Sequence, residues 1–409
     1  MMLRLSRLGF TVVAILTITH SPALAQPPPT GTDRLTPLTV SCFRCCEPGQ
    51  PCRDYTAAGY HGGKANLSIA EATRDKKTIR CLSLGYDVTG ASDGQFPDAQ
   101  ALAVALELPG NIQAMRVELL GDDSGNRAGC VLVDRTGERL FYHLAELNGS
   151  ECVTAEAKLT FPEAHWDGNN DGIPDYPLRL GSIVVTARPG ARRTVGRVLV
   201  DRIEAVCDFA TQGTNVLCAL DDPRQPPWQI MGRGHDIAEL SQADDPQEPG
   251  AKVTKLTFGL KPPPEKTEVS VGMTAKLQAP LEFPGTILLD VFGDNSKQML
   301  VFGATDATGA AWHGWYPPLL VDWEGWRTVY LFTGGTTWRS AAEDDPDRTG
   351  RYPLKLDGIA LVLPSPDVAE ARLKGLILLR KLRFAPAAPE VLTTCRRELT
   401  DIRSVPMAP

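Results

Sequence analysis

The chain has 409 residues, a net charge of −7 and a pI near 5.5, with no basic stripe to match a phosphate backbone, so nucleic acid is not an expected partner. About 380 residues beyond a leader exceed one ordinary core, which sets an expectation of two domains plus tails. Six His are few for a catalytic metal protein, and no His-Glu-x-x-His, Walker loop or dinucleotide fingerprint occurs.

In chain order, residues 1–25 read as a signal peptide. Arg4 and Arg7 form its positive end, Leu8 to Thr19 its apolar run, and Ala23-Leu24-Ala25 a small-x-small cleavage signature. The apolar run is too short to span a bilayer, no lipobox cysteine follows it, and no later run is long enough to cross. The expectation is an exported protein with no membrane span, in the periplasm, on the cell surface or outside the cell.

Residues 26–64 are rich in Pro, Gly and Cys without a sustained period, and read as a linker or a small disulfide knot. Four of the ten Cys (Cys42, Cys45, Cys46, Cys52) crowd into SCFRCCEPGQPC. A zinc knuckle is the competing reading. The oxidising compartment and the lack of a His in the cluster favour disulfides.

The rest of the chain is duplicated. Gly121-Asp122-Asp123 returns 172 residues later as Gly293-Asp294-Asn295, and Asp134-Arg135-Thr136-Gly137 as Asp306-Ala307-Thr308-Gly309. Tyr176-Pro177-Leu178 returns 176 residues later as Tyr352-Pro353-Leu354. Repeat one spans 65–208, a connector 209–231, repeat two 232–385 and a tail 386–409. In repeat one, alternation predicts strands near Ile79–Tyr86, Ala101–Leu108, Met115–Leu120, Ala128–Asp134, Leu140–Leu144, Ala155–Phe161, Leu180–Ala187 and Gly196–Val206. Such short alternating runs, separated by Gly, Pro and Asp, predict an all-β fold of two tandem antiparallel β-sandwiches. Cys81 and Cys207 open and close the first repeat. If first and last strands are neighbours, they are a possible disulfide.

The Pro-Gly pairs Pro109-Gly110 and Pro284-Gly285, the Gly-Asp strand ends and the Asp-x-Thr-Gly turns resemble galactose-binding-like (jelly-roll) sandwiches. So do Asp322-Trp323-Glu324-Gly325-Trp326 and the closing Val200-Asp201-Arg202-Ile203. That family contains many carbohydrate-binding modules, so the resemblance implies the fold and, more loosely, sugar binding. Repeat one lacks the Trp-x-Gly-Trp pair, and repeat two lacks the closing-strand Asp.

Two stretches carry functional expectations. Asp167-Gly168-Asn169-Asn170-Asp171-Gly172-Ile173-Pro174-Asp175 spaces oxygens as a calcium loop does. Asp167, Asn169, Asp171 and Asp175 supply side chains, Ile173 a carbonyl, and Gly172 the sharp turn. Leu178 stands where the bidentate acid belongs, and a polar Asx-turn loop with no ion is the bland reading. A structural Ca²⁺ is otherwise the sole cofactor expected. In repeat two, Trp312, Trp315, Tyr316 and Trp338 fall in one aromatic-rich run, and stacking on sugar rings suits such side chains. Trp323 and Trp326 lead into an apolar strand and are expected in the core. Tyr142 and Trp166 occupy analogous places in repeat one. Asp134 and Asp306, kept in both copies, are expected to be turn residues and not catalytic acids.

The function these features predict is non-catalytic binding of a polysaccharide or envelope glycan. A structural role against an envelope protein is the alternative, and a sandwich-fold glycoside hydrolase or lyase a further one.

Overall fold

The computed structural model describes residues 35–43, 48–49, 54–74, 76–90, 97–209, 213–261, 269–277, 280–334, 338–340, 352–363 and 372–387. Residues 1–34, with the expected signal peptide, the tail from 388 with Cys395, and Cys45, Cys46 and Cys52 lie outside them. Among the described residues there is no helix, hence none long and apolar enough to cross a membrane.

The first sandwich comprises β1 (Leu35–Cys42), β2 (Tyr55–Tyr60), β3 (Lys64–Arg74), β4 (Lys77–Asp87), β5 (Asp98–Glu107), β6 (Ile112–Leu120), β7 (Arg127–Val133), β8 (Arg139–Glu146), β9 (Cys152–Lys158), β10 (Ala164–Trp166), β11 (Arg179–Thr186) and β12 (Val195–Asp208). The second comprises β13 (Asn215–Cys218), β14 (Gln229–Arg233), β15 (His235–Asp244), β16 (Lys252–Leu260), β17 (Ser270–Thr274), β18 (Gly285–Asp294), β19 (Met299–Thr305), β20 (Ala311–Leu320), β21 (Glu324–Phe332), β22 (Trp338–Ser340), β23 (Lys355–Val362) and β24 (Lys374–Pro386).

One sheet of the first sandwich runs β3-β4-β12-β6-β9 with β1 also on β12, and the other runs β10-β8-β7-β11-β5-β2. The second sandwich runs β15-β16-β24-β18-β21 with β13 on β24, and β14-β17-β23-β19-β20-β22. Each strand of the second sandwich holds the place of the strand twelve before it, so the duplication seen in the sequence is a duplication of complete topology. All pairings are antiparallel.

All eight strands read from alternation are present. The repeat boundaries move outward, however. The segment expected as a linker or knot supplies β1, which pairs with β12, and β2, which pairs with β5. The expected connector supplies β13 and β14, which pair with β24 and β17. Pro, Gly and Cys interrupt the apolar alternation that would announce these strands in the sequence. Strands added at a sheet edge tolerate such residues.

The duplicated turns serve the backbone. The Asp134 carboxylate accepts from the Thr136 hydroxyl at 2.8 Å and the Glu138 amide at 2.9 Å. Asp306 accepts from the Thr308 hydroxyl and amide and from the Ala310 amide. Gly137 and Gly309 both sit at positive φ, where a side chain is strained.

The disulfide expected between Cys81 and Cys207 does not form. Leu82 is level with Val200 on β12, whereas Cys207 is level with Ile112 and Thr36 at the far end of that strand. About six residues of strand separate the two thiols, roughly 20 Å at the rise of a β-strand, far beyond disulfide reach. First and last strands are indeed neighbours, but the register is wrong for a bridge.

The two sandwiches abut. The Tyr330 hydroxyl donates to the Glu107 carbonyl at 2.9 Å, the Asn111 amide to the Pro386 carbonyl at 2.9 Å, and the Gly110 amide to the Thr286 hydroxyl at 3.3 Å. A side chain at Gly110 would run into the ring of Phe332. The Pro-Gly motif of repeat one thus lies at the junction.

Candidate functional site

The aromatic run of repeat two is mostly core. Trp312 and Tyr316 are 1% and 0% exposed, and Trp323 is 3% exposed. Alternation along β20 turns Trp312, Gly314 and Tyr316 inward. Trp312 donates its indole N–H to Asp306 at 3.1 Å, and Tyr316 packs edge-on against Trp323 and Tyr330. Trp315 points outward and is half-buried. The side chain of Trp338 lies outside the described residues. The platform expected in repeat two therefore loses Trp312 and Tyr316. Trp326, expected in the core, is instead half-buried on the outer face of its sheet, with the Arg380 guanidinium 4.1 Å above its ring.

In repeat one, Tyr142 is also core, at 3% exposed. Leu140, Tyr142 and Leu144 turn inward together, which sends Arg139, Phe141 and His143 outward. Leu140 and Leu144 fix that parity, and reading it from them would have pointed to Phe141.

The outward face of the sheet β10-β8-β7-β11-β5-β2 is the best-formed candidate site. It is hollowed into a depression of about 700 Å³ lined by Tyr60, Phe141 and Trp166, with Asp98, Gln100, Arg139 and Asp167 among them. Strand pairing sets the layout. Asp98 lies between Tyr60 and Thr186, Gln100 beside Val184, and Phe141 beside Val131. The floor is apolar, since Val131 and Val184 point out of the sheet yet are covered. Gly129 lies under Phe141, and any side chain there would strike the phenyl ring.

The polar groups are fixed before any ligand arrives. Buried Gln100 accepts from the Ser182 hydroxyl at 2.9 Å and donates to Asp98 at 3.1 Å. Burial raises the Asp98 pKa, partly offset by the Gln100 hydrogen bond and by nearby His61. At the other edge Arg139 pairs with Asp167 at 3.3 Å.

Trp166 is held there by the loop that follows it. Thr136 receives the Asn169 amide at 3.3 Å, Glu138 the Gly172 amide at 2.8 Å, and Asp134 the Asp175 amide at 3.2 Å. Glu138 is fully buried and also receives His165 Nδ1 at 2.9 Å. The Asp-x-Thr-Gly turn thus anchors the whole 167–175 loop, a role for Glu138 that no motif announced.

Within the loop, the Asn169 amide nitrogen bridges Asp171 and Asp175, each at 3.1 Å, and Asp171 caps the Ile173 amide at 2.8 Å. Asp167, the first ligand position of the expected calcium loop, is turned to Arg139. Burial, then the charges of Asp134 and Asp171, raise the Asp175 pKa. Among the described residues no set of three His, Cys, Asp or Glu side chains is arranged to hold a metal ion.

No family model and no curated protein matches the chain. Among solved structures, the chain is similar to a family 11 carbohydrate-binding module from Clostridium thermocellum, in complex with a mixed-linked tetrasaccharide (12% identity, 42% of this chain and 96% of that one, TM-score 0.28). It is also similar to a tandem family 22 carbohydrate-binding module pair from Paenibacillus barcinonensis (9% identity, 88% and 99%, TM-score 0.26). A third is allantoicase from Saccharomyces cerevisiae (9% identity, 85% and 92%, TM-score 0.21). Scores this low carry no functional weight. The fold rests on the sheet topology itself.

Proposed function

We propose that this is an exported, non-catalytic carbohydrate-binding protein whose glycan site is the outer sheet face of the first sandwich. The observation that carries the reading is the aromatic trio Tyr60, Phe141 and Trp166 set around the ordered Asp98–Gln100–Ser182 row in one open depression. Aromatic faces suit sugar C–H surfaces, and a few pre-oriented polar groups read hydroxyls. Of the two carboxylates that line it, Asp98 lies on β5 and Asp167 directly follows β10, four inter-strand steps away. That is roughly 19 Å at the usual strand spacing, too far for a glycosidase acid pair.

Affinity electrophoresis of the mature chain against a panel of neutral polysaccharides tests it. Retention is expected, falling at least tenfold in Phe141→Ala and Trp166→Ala. No retention by any of them would sink the reading. A structural role against an envelope protein is the second reading. It is favoured by the burial of Trp312 and Tyr316, which removes the platform expected in repeat two.

Calcium at the 167–175 loop is also a proposal. Turning the Asn169 amide over places its oxygen where its nitrogen now bridges Asp171 and Asp175, and a cation there would relieve the carboxylate repulsion that adds to burial in raising Asp175. A rise of several degrees in Tm with millimolar CaCl2, absent in Asp171→Asn, is expected, and no shift would remove calcium.

A further inference from the structure

A second hollow, of about 720 Å³, lies between the two sandwiches. One wall is the outer face of β1, β4 and β12. The other is β21 with the segment leading into it. Neither sandwich forms the cleft alone. Its side-chain charge is opposite to that of the molecule. Arg80, Arg202, Lys297 and Arg327 stand against two carboxylates, Glu204 and Glu324, on a chain of net charge −7. Glu204 is already answered from its own wall by Arg202 at 3.1 Å and Arg116 at 3.9 Å. Glu324 is exposed at the rim.

Aromatic surface accompanies the charge. Half-buried Trp326 lines the cleft, and the Arg327 guanidinium is stacked 4.4 Å over the buried Trp323 and paired with Asp322 at 3.6 Å. That stacking fixes a cation in a partly desolvated position, where it acts on an anion more strongly than a surface lysine does. Asn295, in the same wall, has an amide oxygen with no donor in the protein. Cations, an indole edge and an amide acceptor together match an anionic sugar, with its acid group, apolar ring face and hydroxyls, better than a lipid or a neutral glucan.

We propose that the inter-sandwich cleft is a second binding site, for an acidic sugar residue bearing a carboxylate or a sulfate. This site is independent of the sheet face of the first sandwich. The test is calorimetric titration of the full mature chain with oligogalacturonate and, separately, with a sulfated oligosaccharide of equal length. Binding of at least one is expected, weakening as NaCl rises from 50 to about 300 mM, and falling tenfold or more in the double variant Arg80→Gln/Lys297→Gln. Which arm binds identifies the acid group.

Hydrogen exchange on the unaltered chain covers the case in which the double variant does not fold. The acidic ligand is expected to slow exchange in β1 and at 321–328. No binding in either arm, undiminished binding by a folded double variant, or protection confined to β2, β5, β8 and β10 would overturn the proposal. Neutral polysaccharides are titrated in parallel, so their failure removes the sheet-face reading and leaves the cleft to stand or fall on its own arms.

Discussion

Asp306 receives four hydrogen bonds, from the Thr308 amide and hydroxyl, the Ala310 amide and the Trp312 indole. Burial alone would raise its pKa, but these donors outweigh it and bring it down to about 2. The folded value lies below the unfolded 3.8, so the carboxylate's stabilisation is present above pH 4 and is lost as pH falls through about 2. Asp306→Asn is therefore expected to cost ~2 kcal/mol at pH 7 by urea unfolding, with the difference from wild type shrinking near pH 2.5. A gap that does not change with pH would show that the charge is not what matters. At the sheet face proposed to bind glycan, Gly129→Ala is expected to displace Phe141 and weaken glycan retention at a stability cost of ~1–3 kcal/mol. Retention unchanged in that variant would mean Phe141 is not part of the binding surface.

The loop from Asp167 to Asp175 and the turn from Asp134 to Glu138 work as one element. Each alone is a polar surface segment, and together they fix Trp166. Glu138→Ala would leave the Gly172 amide and His165 without their acceptor, at ~1–3 kcal/mol. Faster amide exchange across 167–175 and weaker glycan retention are expected together. Faster exchange with full retention would separate the loop from binding. The motif at 167–175 was legible in the sequence, as was the structural role of Asp134 and Asp306, because both depend on local spacing. The anchoring by Glu138 was not, since it joins residues 34 apart that only the turn beside β8 brings together. The aromatic face was half legible. Trp166 lines the depression, whereas Tyr142, Trp312 and Tyr316 face the core, because strand parity is set by which side meets the opposite sheet.

At the scale of the whole molecule the two sandwiches act as a single body. Their buried side chains form one continuous cluster, and the Tyr330, Asn111 and Gly110 hydrogen bonds cross the junction. One cooperative unfolding transition is expected. Gly110→Ala, which drives a methyl into Phe332, is expected to lower the Tm of that whole transition by several degrees. Two resolved transitions in calorimetry, with only one moved, would show that the sandwiches are independent. The cleft between them exists only in this arrangement.

The sequence by itself determined the all-β class, the duplication and the paired turns, because period-two alternation and turn chemistry are local properties of the chain. It left to the tertiary structure the strands hidden in Pro- and Cys-rich segments, the register that keeps Cys81 from Cys207, and the faces on which the aromatics lie. Those depend on which distant strand pairs with which. A one-residue shift in that pairing moves a side chain from solvent to core.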